Sequence, residues 1–386
     1  MMSLSTGAAV LVALLVGVAG ALYAYFTRHF GYWRRLGVPY LRPLPIAGNL
    51  KDVLLFRKHF GVVLRDVYTQ MKDQPYVGMF FFDQPVLFVK DIELWKTIVI
   101  KDCDHFEDRG LSPLKSLRVF SETLFGLKGK KWKQLRTKLS PAFTLANIKK
   151  IYILLEQKAA NLDHYFDDVV KSDMDGDVLV AQALSFLAAG FDTTSTTMSY
   201  ALYELAMNED IQEQLRTQLQ ETMEKHDGKL TYQALQSVNY LDMIFSETLR
   251  KYPVYPFLDR TCTKTYRMPG TDIVLDKGVF AFTSILGIQR DPQYFPEPER
   301  FDPERFSDAN RGNIPSCCFM SFGEGPHKCL GLRLGYLQGK LGIAHIILNY
   351  RVHPCASTPK KMEFNLHSFL ISPRDGVPLK FTRVTN

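Results

Sequence analysis

Cysteine is scarce in this chain. The six residues Cys103, Cys262, Cys317, Cys318, Cys329 and Cys355 are spread over 386 positions with no framework spacing. That excludes a disulfide-stapled secreted module and fits reduced thiols in a cytosol-facing domain. No Cys-x-x-Cys or His-x-x-x-His element accompanies the adjacent pair Cys317-Cys318. A zinc site built from that pair with His327 and Cys329 would therefore be a poor chelate. Nucleic-acid motifs are missing too. The net charge of +7 comes from dispersed basic residues, so it points to anionic surfaces and acidic partners and not to DNA or RNA.

Charge is absent altogether from Gly7 to Phe26, a run of 20 mostly apolar residues. That length spans a bilayer as a helix. No lysine or arginine precedes it, whereas Arg28, Arg34 and Arg35 come after it, so the bulk of the chain is predicted on the cytoplasmic side. A cleaved signal peptide would need a basic start and a shorter apolar core. The run reads as an uncleaved anchor over residues 1–30, with Tyr32 and Trp33 at headgroup level. Residues 31–48 hold three prolines, Pro39, Pro43 and Pro45, and read as a stiff extended hinge. Residues 49–386 remain for the main domain, and a hydrophobic share of 46% supports a sizeable core.

Within that domain the pattern predicts a hairpin, with Tyr76–Phe82 and Pro85–Val89 flanking a turn at Asp83-Gln84. Asp91 is predicted to cap a helix containing Trp95. Residues 102–125 read as irregular. Trp132 and Arg136 are four apart on a lysine-rich helix, so both donors share a face and can meet a carboxylate. An amphipathic surface helix explains the same spacing. A long apolar helical run from Val178 to Leu205 contains Ala188-Ala189-Gly190-Phe191-Asp192-Thr193-Thr194. Small residues there let a flat ring lie against the helix, and a mid-helix threonine can bond back to a carbonyl and open the ladder. Glu247 and Arg250 share a helix face as an ordinary pair would. The stretch Phe322 to Gly331 places Cys329 among glycines ahead of a leucine-rich helical run. A cysteine entering a helix N-terminus meets positive potential and amide donors, which favour the thiolate. Taken alone, such a cysteine is more often a small buried hydrophobe.

The pattern Phe-x-x-Gly-x-x-x-Cys-x-Gly over 322–331 resembles the haem-binding loop of the cytochromes P450. Trp-x-x-x-Arg at 132–136 is similar to the family's C helix, and Ala-Gly-x-Asp-Thr-Thr at 189–194 to its I helix. Glu247 and Arg250 resemble its Glu-x-x-Arg, with Arg305 of the 301–306 meander as partner. The wording is most like the insect microsomal, xenobiotic-oxidising branch. The resemblance implies a mainly α fold with small β-sheets behind an N-terminal transmembrane helix. It implies haem b with Cys329 as the iron ligand, and Trp132, Arg136, Ala189, Arg260, Phe322, His327 and Gly331 as cofactor-binding residues. Asp192 and Thr193 would deliver protons, and 254–258 with 367–371 would face an apolar small-molecule substrate. Further implied are NADPH electrons through a reductase, cytochrome b5 as a second donor, and an endoplasmic reticulum location with the domain facing the cytoplasm.

Two departures stand out. His327 occupies a place where most members carry arginine. Ala188 comes only 56 positions after Trp132, so about a hundred residues of the usual length are missing, with the join near Tyr165–Asp175. The lost part would be the roof of the substrate pocket, which predicts exposed apolar surface on the 178–205 helix. Two alternatives remain. One is a non-catalytic or weakly haem-binding membrane protein derived from such an enzyme. The other is a peroxide-using or isomerising relative, against which the Asp192-Thr193 pair argues.

Overall fold

The structure is a computed structural model that describes residues 2–71, 73–110, 121–149 and 176–384. In chain order its helices and strands are α1 (Met2–Thr27), α2 (Tyr32–Arg35), α3 (Lys51–Leu54), α4 (Phe60–Gln70), β1 (Tyr76–Phe81), β2 (Gln84–Val89), α5 (Ile92–Lys96), α6 (Gly129–Leu139), α7 (Gly176–Met207), α8 (Glu209–Lys225), α9 (Tyr232–Ser237), α10 (Asn239–Lys251), β3 (Phe257–Thr261), β4 (Tyr266–Arg267), β5 (Val274–Leu275), β6 (Phe280–Ser284), α11 (Ile285–Ile288), α12 (Leu332–Asn349), β7 (Tyr350–Pro354) and β8 (Leu379–Arg383). Helices dominate and the sheets are small, as the resemblance implies.

Helix α1 stands clear of the rest. Its stretch Gly7–Thr27 is long and apolar enough to cross a membrane and is unburied. The segment after α1 departs from expectation. Tyr32 and Trp33 are not headgroup aromatics. Both are buried; Trp33 Nε1 donates to Met79 O at 2.9 Å and Tyr32 Oη accepts from Asp276 N at 3.1 Å. Indole and phenol serve here as large apolar bodies whose polar tips find partners in the core. The proline-rich stretch is extended and stitched to the sheet, with Leu41 N donating to Gly78 O at 3.0 Å and Gly78 N to Pro39 O at 2.7 Å.

The main sheet runs β1-β2-β6-β3. β1 pairs antiparallel with β2, β2 parallel with β6, and β6 antiparallel with β3. The hairpin turn falls one residue earlier than predicted. Phe81 pairs with Gln84, so the turn residues are Phe82, at φ 56°, and Asp83. A one-residue slip would turn every side chain to the opposite face. It would also displace Asp83, whose Oδ2 meets Arg28 at 2.9 Å and His29 at 3.2 Å. The Asp91 cap forms as expected, its Oδ1 accepting from Leu94 N at 2.7 Å.

Helices α7, α8, α10 and α12 pack into the helical core. Gly339 on α12 admits the ring of Phe245 from α10, where any Cβ would collide. At the foot of α10, Glu247 takes Arg250 through two contacts, at 2.6 and 2.9 Å. It also accepts from Asp302 N at 2.9 Å, and Arg305 Nε lies 3.5 Å away. The expected meander pairing is therefore present. Arg250 Nη1 further donates to Gln289 O at 2.8 Å and Nη2 to Pro298 O at 2.8 Å. Both Glu247 and Arg250 are fully buried, a geometry tolerable only because the charges are paired and their hydrogens satisfied.

Candidate functional site

The loop that carries Cys329 is shaped by two glycines in the left-handed region, Gly323 at φ 74° and Gly325 at φ 72°. Any Cβ at Gly325 would strike the carbonyl oxygen of Val99. The return is closed by Cys329 N donating to Phe322 O at 2.8 Å. Helix α12 then begins three residues on. Cys329 is exposed, and the amide of Gly331 favours its thiolate, as do Arg109 and Arg136. Burial by the surrounding protein nevertheless wins and pushes the thiol up. The Gly331 amide and the two guanidiniums act in the direction expected at a helix start, and desolvation opposes them. Phe322 sits against Tyr336 of α12, with ring centroids 5.3 Å apart.

His327 is buried against Trp132, centroids 3.8 Å apart and planes 26° from parallel. Its Nε2 lies 2.7 Å from Glu107 O, so that nitrogen carries the hydrogen and donates. Nδ1 is then an acceptor, buried and without a partner. Burial, reinforced by Arg260, Arg109 and Arg136, pushes the imidazole down to about 2. The histidine is therefore neutral near pH 7 and supplies no positive charge where most family members carry arginine.

Positive charge comes from three guanidiniums. Arg136 Nη2 donates to Lys328 O at 2.8 Å. Arg260 Nη1 donates to Asp259 O at 2.7 Å and Nη2 to Glu324 O at 3.3 Å. Arg109 Nη2 donates to His327 O at 3.2 Å. Burial, together with Arg109, lowers Arg260 to about 10, which leaves it charged. The Asp259 carboxylate favours the charged form of Arg260, and the Arg109 guanidinium lies 4.4 Å from the centroid of the Phe125 ring. Sequence reasoning named Arg136 and Arg260 but missed Arg109. It lies in a stretch without periodicity, Glu107-Asp108-Arg109-Gly110. The only available signal was an arginine beside a glycine.

On α7, Ala188, Ala189, Gly190, Phe191 and Asp192 are all exposed. Thr193 Oγ1 donates to Ala189 O at 2.5 Å, the back-bond expected of it. The helix is continuous from Gly176 to Met207 all the same, so the predicted opening of the ladder is not seen. The hydroxyl shares an acceptor instead of displacing a backbone bond. A Cβ added at Gly190 would meet no atom within 4 Å, and one at Gly331 only Phe143 Cε1, at 4.0 Å. Leu184 and Leu187 nearby are 53% and 68% exposed, and Phe191 is 68% exposed. The predicted apolar surface on this helix is present. The two substrate-facing segments lie side by side: Ile371 N donates to Val254 O at 2.8 Å, and the Tyr255 and Phe369 rings are 5.6 Å apart. The expected join near 165–175 lies outside the described residues.

The Cys329 loop thus stands at the start of α12, small residues are exposed along α7, and Arg109, Arg136 and Arg260 all act on the buried His327 ring. A family model described as Cytochrome P450 matches residues 38–177 and 167–379. Cytochrome P450 6j1 of Blattella germanica is 33% identical over 97% of this chain and 98% of that protein. Cytochrome P450 6k1 of the same species is 31% identical over 98% of each, and probable cytochrome P450 6a23 of Drosophila melanogaster 29% over 97% and 99%. The chain belongs to the cytochrome P450 family, whose members are monooxygenases. It is shorter than these relatives. The first alignment runs over 491 positions against 386 residues, so at least 105 positions face no residue of this chain. The two family matches meet at 167–177, where the join was expected.

Proposed function

We propose that this chain is a membrane-anchored haem-thiolate monooxygenase that inserts one atom of dioxygen into apolar small molecules, with Cys329 as the iron ligand. The observation that carries this reading is Cys329 itself, exposed at the head of α12 with the amide of Gly331 directed at its sulfur. Haem b fits the residues present, because two propionates match the guanidiniums of Arg109, Arg136 and Arg260 and a flat ring matches the small-residue faces at Gly190 and Gly331. Bound there, thiolate-ligated haem supplies dioxygen activation.

The protein's own groups have separate tasks. Arg109, Arg136 and Arg260 hold the anionic edge by charge-assisted hydrogen bonds, and Trp132 and His327 wall it from water. Asp192, exposed on α7, exchanges protons with solvent. Thr193 Oγ1 gives its hydrogen to Ala189 O and keeps lone pairs that accept a hydrogen bond, so it passes a proton on by taking a hydrogen bond from one side and turning its own O–H to the other. Electrons come from NADPH through a reductase, with cytochrome b5 as a second donor. The exposed lysines Lys128, Lys130, Lys131, Lys133 and Lys138 on and beside α6 offer an acidic partner a basic face. Helix α1 anchors the chain in the endoplasmic reticulum membrane through residues 1–30. Residues 31–48, expected as a hinge, are packed into the domain instead, and the domain through residue 386 lies on the cytoplasmic side.

The test is the spectrum of the reduced, carbon-monoxide-treated protein. A red-shifted Soret band is expected, and Cys329→Ser removes it; a band that survives that substitution overturns the assignment. One observation favours a second reading, a non-catalytic relative. Leu184, Leu187 and Phe191 are exposed where an apolar pocket needs a cover. Stoichiometric haem with reductase-driven turnover excludes it, and haem-free protein establishes it.

A further inference from the structure

The cations of the site stand on separate elements: Arg136 on α6, Arg260 on β3, and Arg109 on the stretch 107–110. Two carboxylates fixed to one rigid ring can meet them only if the spacing between those elements is held. Asp108 spans it. Its backbone oxygen accepts from Thr261 N at 2.7 Å, at the end of β3, in an isolated bridge between the two residues. Its side-chain Oδ1 accepts from the amide of Gly129, the first residue of α6, at 2.8 Å. The position before that helix, Lys128, provides no side-chain cap, so Asp108 does what an adjacent cap residue ordinarily does. Its carboxylate also faces the positive end of the α6 dipole. The residues on either side complete the connection. Glu107 O takes the hydrogen of His327 Nε2 at 2.7 Å, Arg109 Nη2 reaches His327 O at 3.2 Å, and Gly110 N donates to Asp259 Oδ2 at 2.6 Å.

From this we infer that Asp108 is a positioning residue: it fixes α6 to β3 and so sets the spacing of Arg136 against Arg109 and Arg260 that selects a ligand with two carboxylates. The inference rests on the haem reading above. Asp108 need not touch the ligand. Without its carboxylate the first turn of α6 loses this cap, and Trp132 loses its fixed position over His327 and Arg136 its fixed position beside Lys328.

The experiment uses the full-length chain, purified without haem in detergent, and two fluorescent probes, metal-free protoporphyrin IX and its dimethyl ester. Neither probe carries iron, so the bond to Cys329 plays no part. The protein should bind the diacid at least about tenfold more tightly than the ester, the worth of one charge-assisted contact. Asp108→Ala should lose most of that preference at an unchanged far-ultraviolet spectrum. Asp108→Asn, which keeps an oxygen to accept from Gly129, should retain it within about threefold. Should Asp108→Ala fail to fold, Asp108→Glu takes its place: the added methylene misplaces the carboxylate, and the preference should fall. A preference unchanged in Asp108→Ala or Asp108→Glu overturns the inference, as does an Asn variant no better than Ala. So does a wild-type protein that binds both probes alike. Failure of the haem reading shows separately, as loss of the thiolate band with the diacid preference intact.

Discussion

Trp132 lies face to face on His327, ring centroids 3.8 Å apart, while the imidazole Nε2 sits 2.7 Å from Glu107 O. One histidine thereby links helix α6, the Cys329 loop and the stretch that carries Arg109. His327→Ala removes the stack and leaves the Glu107 carbonyl without its donor, at a cost of about 1–3 kcal/mol for the unsatisfied group. His327→Gln keeps a donor and should recover part of it. Melting temperatures of the haem-free variants check this. Equal melting of His327→Ala and wild type refutes it.

The pH dependence turns on a second histidine. His59 begins α4, its Nδ1 accepting from Gly61 N at 3.0 Å, and burial holds its pKa below the usual value. The neutral ring caps the helix. Between the lowered folded value and the ordinary unfolded value the unfolded chain binds more protons. Stability is therefore fully present above about pH 6.5 and is lost as the pH falls below it, by at most about 1.4 kcal/mol per unit. His59→Asn keeps a cap acceptor that does not titrate. Urea midpoints at pH 7 and pH 5 should separate in wild type by more than in this variant.

Gly190 and Gly325 should respond in opposite ways to alanine. A Cβ at Gly190 meets nothing within 4 Å, and a mid-helix alanine is favoured by about 0.5–1 kcal/mol. Gly190→Ala should melt at or above wild type without haem, yet take up haem less well, because the methyl stands on the ring face. Gly325→Ala, at φ 72° and against the Val99 carbonyl, should destabilise by about 1–3 kcal/mol. Thermal melts beside haem titrations separate the two. Normal haem uptake by Gly190→Ala places the ring elsewhere.

Breaking the buried pair at the foot of α10 should be the most damaging single change. Glu247→Gln leaves Arg250, fully buried, without its counter-charge, at a cost of roughly 3–5 kcal/mol. Arg250→Lys cannot reproduce the two-pronged contact. Both should drop soluble yield and lower the melting temperature steeply, and a variant that melts within a few degrees of wild type contradicts this.

Much of this protein is local chemistry, and local chemistry is legible in a chain. Spacing put Trp132 with Arg136, Glu247 with Arg250, and Cys329 at the head of a helix, because each relation spans few residues and obeys the helical repeat. The uncharged run at Gly7–Phe26 and the cap at Asp91 are of the same kind. Relations between distant segments were not legible. Arg109 joins Arg136 and Arg260 through tertiary contacts such as the bridge from Asp108 to Thr261. Tyr32 and Trp33 are core residues only because β1 and the segment around Asp276 fold over them. Burial also set what the residue type of His327 left open, lowering its imidazole to about 2, because desolvation depends on everything packed around a group and not on its neighbours in sequence.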